Sequence, residues 1–226
     1  MTRGRFITFE GGEGSGKSTQ IRRLAKQLED LGHSVVTSRE PGGTPYAEKV
    51  RGMLLTGAIK DQGPDAEAIL VSSARVDHIK SVIKPALDAG QWVLCDRFAD
   101  STLAYQGLLD GGDIAFIADL NETILSQCPP DLTIMIDLPV NDALERLSKR
   151  SKGASSDDRY DAQDASKHET LRKAYLAIAV DNPERVTVVD GSADENAVAE
   201  AIWAVVTGRF ETDQKVKTNR GRRNGR

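Results

Sequence analysis

The chain has 226 residues, of which 39% are hydrophobic and 28% are charged, and its formal net charge is -4. This composition excludes a disordered chain and is typical of a globular protein with one core. Residues 209–226 carry seven Lys or Arg against two acidic residues, so residues 1–208 have a net charge of −9 and general nucleic-acid binding is not expected.

The cysteines, the histidines and the apolar runs argue against a disulfide framework, a histidine-based metal site and a membrane protein. Cys95 and Cys128 form no C-x-x-C pair, which fits a reducing compartment. His33, His78 and His168 lie far apart and lack metal-ligand spacing. The N-terminus has no apolar stretch of signal-peptide length, and no apolar run approaches the roughly 20 residues that span a bilayer. We therefore expect a cytoplasmic protein that does not enter a membrane.

Short apolar runs alternate with helical patterns along the chain, which is typical of a parallel α/β fold. Apolar residues at helical spacing predict helices near residues 21–31, 65–89 and 195–207. With these helices on its faces, a five-stranded parallel sheet would bind ligands at the carboxyl ends of its strands. The predicted strands are Phe6–Glu10, Ser34–Ser38, Trp92–Asp96, Leu132–Leu138 and Arg185–Asp190.

Two segments interrupt the alternation. Residues 151–158 are polar and Ser-rich and are flanked by Arg150, Lys152 and Arg159, so a mobile lid is predicted at about 150–160. Residues 212–226 have no apolar periodicity. The prediction is one domain over residues 1–208, followed by a basic, disordered tail over 209–226.

A phosphate-binding motif follows the first predicted strand. Glycines in such a loop let successive backbone N–H groups surround phosphate oxygens, and the helix that begins near Lys17 adds the positive end of its dipole. We expect Lys17 to reach the β- and γ-phosphates and Ser18 to bind Mg²⁺. The stretch matches G-x-x-x-x-G-K-[ST] and comprises Gly11, Gly12, Glu13, Gly14, Ser15, Gly16, Lys17 and Ser18, with Thr19 next to it.

The rest of the sequence favours a small-molecule kinase. The Asp-x-x-Gly and Asn-Lys-x-Asp strings that a GTPase needs are absent from the sequence. A kinase must instead bring two polyanions together, and this requires an acceptor site rich in arginine. Candidates at strand ends and on neighbouring helices are Arg39, Glu40, Arg51, Arg75, Asp96 and Arg97.

Several further strings resemble the thymidylate kinase family over about residues 5–208. They are F-E-G at 9–11, R-E-P-G-G-T at 39–44, D-R-F at 96–98, S-T-L-A-Y-Q-G at 101–107 and P-D-L-T at 130–133. The resemblance implies the three-layer P-loop kinase fold. It also implies transfer of the ATP γ-phosphoryl group to dTMP with Mg²⁺, giving dTDP and ADP in dTTP biosynthesis. The family further implies a homodimer formed partly through the helix at residues 65–89.

The resemblance also implies roles for individual residues. Arg97 would hold the acceptor phosphate, with Arg51 and Glu40 shaping the pocket, and Arg75 would read the thymine edge. Thr102 and Gln106 would assist Arg75, Tyr105 would press against the sugar, and Ser101 belongs to the same substrate-binding stretch. Glu13 would lie near the sugar and the metal, Asp96 would hold a metal-bound water or orient Arg97, and Arg159 in the lid would be the transition-state arginine.

One departure from the family pattern leaves the acceptor open. Val71 stands where the family usually places a phenylalanine that stacks on thymine. Phe98 also replaces a frequent Tyr or His, which we expect to change little. A kinase for another nucleoside monophosphate is therefore an alternative. So is a deoxynucleoside kinase, which would need Glu40 or Asp96 as a general base. A third alternative is a regulatory ATP-binding module that acts through the basic tail.

Overall fold

The structure is a computed structural model, and it describes residues 3–151 and 164–210. The predicted lid falls largely on residues 152–163, and the predicted tail falls mostly on residues 211–226. The predictions for those residues, including the role of Arg159, therefore lie outside the described residues.

A five-stranded parallel sheet forms the centre of the protein, as predicted, in the order β2-β3-β1-β4-β5. Because β1 lies between β3 and β4, the phosphate-binding loop that follows it sits in the middle of the carboxyl edge of the sheet. The ends of the predicted strands shift by at most one residue. The strands are β1 Phe6–Glu10, β2 Val35–Arg39, β3 Trp92–Asp96, β4 Leu132–Asp137 and β5 Val186–Asp190.

Helices cover both faces of the sheet. The described helices are α1 Lys17–Asp30, α2 Pro45–Leu55, α3 Pro64–His78, α4 Lys84–Asp88, α5 Ala99–Thr102, α6 Ile114–Leu125, α7 Val140–Ser151, α8 Ala165–Asp181 and α9 Glu195–Phe210. On one face, α1 and α9 pack on the sheet through residues such as Leu24 and Ile202. On the other face, the segment after α3 and helix α6 pack through Ile83 and Ile124, and α8 packs through Leu171. The predicted three-layer arrangement is confirmed.

Local sequence signals set where several helices begin. Thr44 caps α2 by accepting from the backbone N–H of Ala47, and Asp113 caps α6 in the same way. Asp164 caps α8 by accepting from the backbone N–H of Lys167 at 2.9 Å. These short polar side chains satisfy backbone donors that the first turn of a helix leaves free.

The segment predicted as one helix over residues 65–89 is interrupted. A π-helical turn at Ile79–Ile83 separates α3 from α4, which has Pro85 in its first turn. Proline has no N–H to donate and its ring crowds the preceding turn, so the regular α-helical bonding cannot pass through this point. A second π-helical segment, Leu103–Leu109, follows α5 and shapes the region of the A-Y-Q-G string.

The last helix continues past its predicted end to Phe210. The guanidinium of Arg209 donates to the carbonyl of Glu184 at 2.7 Å, and the ring of Phe210 packs edge-on against Trp92 at 5.3 Å. The folded part of the chain therefore extends at least to Phe210. Within residues 3–151 and 164–210, no helix is both long enough and apolar enough to cross a membrane.

Candidate active site

The loop after β1 can form only because glycine occupies two of its positions. Gly11 has φ of 131°, and a Cβ there would lie 2.4 Å from the carbonyl oxygen of Ile136. Gly14 has φ of 73°, and its Cβ would lie 2.9 Å from the carbonyl oxygen of Ala143. Both positions combine a left-handed backbone with close contact to β4 or α7, so any side chain would displace the loop.

Lys17 begins α1 and folds its side chain back onto the loop. Its Nζ donates to the carbonyl oxygens of Gly11 at 3.0 Å and Gly12 at 2.9 Å. Burial lowers the pKa of this ammonium group, and the nearby Arg97 lowers it further. A buried cation interacts strongly with an anion because the surroundings screen it weakly.

The two predicted metal ligands lie together. Asp96 ends β3, the strand that pairs with β1, and the hydroxyl of Ser18 donates to its Oδ2 at 2.7 Å. No cluster of three or more His, Cys, Asp or Glu side chains suited to a metal occurs in the described parts of the chain. One hydroxyl and one carboxylate match the oxygen donors of Mg²⁺, which usually takes its other ligands from water and substrate phosphates. The residues present therefore fit Mg²⁺.

Arg97 follows β3 and contacts the phosphate-binding loop. Its backbone has φ of 68°, a left-handed conformation that is uncommon for a residue with a side chain. Its Nη2 donates to Oε1 of Glu13 at 2.7 Å, and Nη1 donates to the carbonyl oxygen of Gly11 at 3.1 Å. Although burial opposes it, the negative charge of Glu13 holds the pKa of Arg97 above its ordinary range. The arginine therefore remains a cation beside the loop, with 13% of its side chain exposed.

Tyr105 completes this part of the site. Its hydroxyl donates to Oε1 of Glu13 at 2.7 Å, and its ring centroid lies 5.0 Å from Cζ of Arg97. Burial raises the pKa of the Tyr105 phenol well above its ordinary value, so the phenol stays a neutral donor. The structure thus brings together three residues that the resemblance placed near the acceptor.

A buried carboxylate lies behind Arg97. Glu10 accepts from the backbone N–H of Phe98 at 2.7 Å and from the hydroxyl of Ser101 at 2.6 Å. Burial raises the pKa of Glu10 from its ordinary value of 4.5 to about 7, with a further contribution from Asp100. Sequence reasoning quoted Glu10 within a motif but gave it no role. A carboxylate at the end of an otherwise apolar buried strand is the signal that could have found it.

Arg75, Glu40 and Thr102 meet in a fully buried cluster. Nε of Arg75 donates to Oε2 of Glu40 at 2.6 Å, and Nη2 donates to Oγ1 of Thr102 at 2.8 Å. Nη1 reaches Oδ1 of Asn121 at 3.3 Å, and the Arg75 side chain is only 1% exposed. Glu40 and Arg75 are therefore charges compensated by each other inside the protein.

His78 is part of the same cluster, and sequence reasoning missed it. Its Nδ1 lies 2.9 Å from Oε1 of Glu40, and its Nε2 lies 2.7 Å from Oγ of Ser38. A carboxylate can only accept, so Nδ1 carries a proton in this arrangement, and Nε2 forms the hydrogen bond to the Ser38 hydroxyl. The histidine lies three residues after Arg75 on α3, a helical spacing that could have pointed to it.

The remaining predicted substrate residues lie around these clusters. Arg51 on α2 donates from Nη1 to the carbonyl oxygen of Pro41 at 3.3 Å. Gln106 donates to the buried carboxylate of Glu67 at 3.3 Å. Val71 is buried in the same apolar cluster as Tyr105.

A cleft of about 380 Å³, open to solvent, runs between the phosphate-binding loop, the end of β4 and helix α8. On α8, Arg172 binds Asp137 at the end of β4 with two hydrogen bonds of 2.7 and 2.8 Å. His168 also lines the cleft, and its buried Nε2 has no hydrogen-bond partner among the described residues. Tyr175 lies on the same face of α8. None of these α8 residues was predicted from the sequence, since the helix carries no motif.

A family model described as thymidylate kinase matches residues 9–202. The chain belongs to the thymidylate kinase family. It is therefore a nucleoside monophosphate kinase, and the family prediction is confirmed.

Relatives of the family match almost the whole chain. A thymidylate kinase of Afipia carboxidovorans is 52% identical over 208 residues, which cover 92% of this chain and 91% of that protein. A thymidylate kinase of Nitrobacter winogradskyi is 48% identical over 219 residues, with 96% and 95% covered. The crystal structure of thymidylate kinase from Ehrlichia chaffeensis matches with a TM-score of 0.70 and 31% identity, and covers 90% of this chain and 99% of that one. This likeness also confirms the P-loop kinase fold.

Proposed function

We propose that this thymidylate kinase family member transfers the γ-phosphoryl group of ATP to dTMP and releases dTDP and ADP. The observation that carries the proposal is the 2.7 Å contact between Arg97 and Glu13. It places an arginine from the end of β3 against the loop that would bind the donor phosphates. A phosphate bound by Arg97 would therefore lie next to the γ-phosphate of ATP.

On the donor side, the loop Gly11–Gly16 would surround the phosphates of ATP with backbone N–H groups. Lys17 would exchange its contacts to the Gly11 and Gly12 carbonyls for the β- and γ-phosphates. Thr19 belongs to the same first turn of α1, whose dipole favours an anion. Bound at Ser18 and Asp96, Mg²⁺ would supply positive charge to the phosphate oxygens.

On the acceptor side, Arg97 and Arg51 would hold the phosphate of dTMP. Arg75, already bonded to Thr102 at 2.8 Å, would read the edge of thymine together with Gln106. Tyr105 would pack against the deoxyribose, since its hydroxyl is held by Glu13 at 2.7 Å. Ser101, the first residue of the S-T-L-A-Y-Q-G string, would support these acceptor-binding residues.

The reaction itself needs no general base. The second pKa of a phosphate monoester is about 6, so the acceptor is mostly dianionic at neutral pH. The obstacle is the repulsion of two anions and the charge spread over the transferring group. Lys17 is buried and the Arg97 side chain is only 13% exposed, so both would neutralise this charge in a weakly screened environment.

A kinase for a different acceptor is a second candidate, favoured by Val71. An aliphatic side chain offers no ring face to a thymine base, and the lost stacking would cost on the order of 1 kcal/mol. Such a loss weakens discrimination between bases and leaves phosphoryl transfer possible. Substrate profiling distinguishes the two candidates.

The decisive experiment measures ADP release with ATP and Mg²⁺ while the acceptor is varied among dTMP, dUMP, UMP, dCMP, AMP, GMP and thymidine. Release that is fastest with dTMP supports the proposal, and faster release with another acceptor supports the second candidate. Lys17→Met should abolish release. Lys26→Met is the matched control, because Lys26 is exposed on the same helix and pairs with Asp30 at 3.1 Å. Absence of acceptor-dependent release from folded wild-type protein would overturn both candidates.

We also propose that the enzyme is a homodimer formed partly through α3. Ile69 and Val76 on α3 are 52% and 42% exposed, and Met53 on the neighbouring α2 is 41% exposed. Apolar side chains on adjacent helices are the surface that a second copy would cover. Light scattering on the purified protein should give twice the chain mass, and Ile69→Glu should reduce it to one chain.

Finally, we propose that the enzyme works in the cytoplasm. Both cysteines, Cys95 and Cys128, are free and buried, as expected for a protein of a reducing compartment. ATP and dTMP are also the substrates of intracellular metabolism.

A further inference from the structure

A chain of hydrogen bonds connects Arg97 to the buried carboxylate of Glu10. Nη1 of Arg97 donates to the hydroxyl oxygen of Tyr175 at 2.7 Å and contacts Oγ of Ser101 at 3.2 Å. The hydroxyls of Tyr175 and Ser101 are 2.8 Å apart, and the Ser101 hydroxyl donates to Oε2 of Glu10 at 2.6 Å. The four groups come from different parts of the fold: Glu10 from β1, Ser101 from α5, Tyr175 from α8 and Arg97 from the position after β3.

The chemistry of the groups gives this chain a direction. An arginine only donates and an ionised carboxylate only accepts. Since Ser101 donates its hydrogen to Glu10, its oxygen must accept from Tyr175, and the Tyr175 oxygen accepts from Arg97. Burial raises the pKa of the Tyr175 phenol well above its ordinary value, so the phenol keeps the hydrogen that it donates. Every bond in the chain is satisfied when Glu10 is ionised.

The same bonds decide which edge of the Arg97 guanidinium is available. Nη1 is occupied by Gly11, Ser101 and Tyr175, and one N–H of Nη2 by Glu13. Among the described residues, nothing accepts from Nε or from the second N–H of Nη2. Nε and Nη2 lie on the same edge of the guanidinium, and an edge of this kind can bind two phosphate oxygens at once.

We propose that Glu10, Ser101 and Tyr175 are positioning residues, which fix Arg97 so that its Nε and Nη2 edge binds the phosphate of the acceptor nucleotide. This inference rests on the proposed function and deepens it. Tyr175 is central, since it is the group from α8 that holds Nη1. Arg97 also needs such support because its backbone occupies a left-handed conformation with φ of 68°.

The proposal makes acceptor binding depend on the ionisation of Glu10. When Glu10 holds a proton on Oε2, it donates to Ser101, the chain reverses, and the Tyr175 hydrogen loses its acceptor. Burial and the nearby Asp100 favour this protonated form, and the pKa of Glu10 is raised to about 7. Asp100 is itself paired with Arg185 at 2.7 Å. The other ionisable or charged groups that act on or near Glu10 are Lys17, Cys95, Arg97 and Tyr175.

Steady-state kinetics of Tyr175→Phe test the proposal. The phenol touches no substrate in the proposed site, so its loss should raise KM for dTMP about tenfold, the effect of removing one hydrogen bond to a charged group. KM for ATP and the unfolding midpoint should change little. Tyr46→Phe is the matched control, because Tyr46 is exposed on α2 and its hydroxyl bonds Ser73 at 2.8 Å rather than Arg97. A KM for dTMP equal to that of the wild type would overturn the role of Tyr175.

The pH dependence of dTMP binding supplies a second readout, which would not change if Glu10 and Tyr175 had only a structural role. The ratio of wild-type to Glu10→Gln kcat/KM for dTMP should rise as pH increases through about 7. The ionisation of dTMP itself affects both proteins and cancels in the ratio. A ratio that stays constant between about pH 5.5 and 8.5 would show that acceptor binding does not depend on the ionisation of Glu10.

A substrate-free measurement separates this inference from the proposed function. In the free protein, the ¹³C resonance of the Glu10 carboxyl should titrate at a higher pH in Ser101→Ala than in the wild type, because a donor to the charged form is lost. An unchanged titration midpoint would contradict the hydrogen-bonded chain from Arg97 to Glu10, even if the enzyme phosphorylates dTMP. If wild-type protein does not act on dTMP, the proposed function fails, while the titration still decides whether the chain exists.

Discussion

The hydroxyl of Ser18 donates a 2.7 Å hydrogen bond to Oδ2 of Asp96 and so joins the first turn of α1 to the end of β3. The two residues are 78 positions apart in the sequence, and the pairing of β1 with β3 brings them together. A hydroxyl and a carboxylate at this distance can turn toward a shared cation when one is bound. The contact therefore links the phosphate-binding loop to the acceptor side of the site.

Asp96→Asn tests this pair as the Mg²⁺ site. Loss of the negative charge should raise the Mg²⁺ concentration needed for half-maximal activity by about 10–100-fold, the usual effect of changing a group that supports a metal. The measurement is ADP release as a function of free Mg²⁺ at saturating ATP. Asp30→Asn, an exposed carboxylate at the end of α1, is the control. An activity loss that is the same at every Mg²⁺ concentration would mean that Asp96 only orients Arg97.

Glycines 11 and 12 should respond very differently to substitution. At Gly11, a Cβ would meet the carbonyl oxygen of Ile136 at 2.4 Å on a backbone with φ of 131°, whereas at Gly12 it would meet nothing within 4 Å. We expect Gly11→Ala to lower the free energy of unfolding by about 2 kcal/mol or more and Gly12→Ala to change it by less than about 1 kcal/mol. Urea denaturation checks both, and equal losses would contradict the assigned loop geometry.

Arg75 should contribute strongly to stability because its charge is buried and paired. Removal of the guanidinium in Arg75→Met leaves Glu40 as a buried carboxylate without its cation, which should lower the free energy of unfolding by about 3–5 kcal/mol. Arg39→Met is the matched control, since the Arg39–Glu48 pair is exposed and worth at most about 1 kcal/mol. Comparable losses in the two variants would show that the Arg75 cluster is not desolvated as described.

Stability should fall between weakly acid and neutral pH because of Glu10. Its pKa is raised from 4.5 to about 7 by burial, so the native state binds this proton more tightly than the unfolded state does. Below pH 4.5 both states hold the proton and the group has no effect. As pH rises from about 4.5 to about 7 the unfolded state releases it first, so the free energy of unfolding falls, by up to about 3 kcal/mol, and then levels off.

Glu10→Gln isolates this contribution because the amide does not titrate. The free energy of unfolding is measured in urea for both proteins at intervals from about pH 4.5 to 8. The wild-type value minus the variant value should decline as pH increases. Glu145→Gln, which removes an exposed carboxylate on α7, should show no such trend near neutral pH. A flat difference for Glu10→Gln would show that this carboxylate is solvated.

Local sequence patterns determined the sheet and the donor side of the site. The strands could be recognised from five apolar runs, and the phosphate-binding loop from its glycines and the Lys17-Ser18 pair. Both kinds of signal consist of residues that are neighbours in the sequence. Strand ends and helix positions also gave Arg97, Glu40 and Arg75 as candidates, and the resemblance to the family added a role for each. The departure at residues 79–83, where a π-helical turn interrupts the predicted helix, comes from Pro85, a local signal that periodicity alone ignored.

Only the tertiary structure decided which groups surround the predicted residues. Tyr175 lies 78 positions from Arg97, and Glu10 lies 91 positions from Ser101, yet all four share one hydrogen-bonded chain. For the same reason, Asn121 joins the Arg75 cluster from α6 and Glu40 joins it from the residue after β2. Hydrogen bonds of this kind require a specific distance and direction between atoms on separate elements. No periodicity or motif within a single segment carries that information, so the packing of the elements had to supply it.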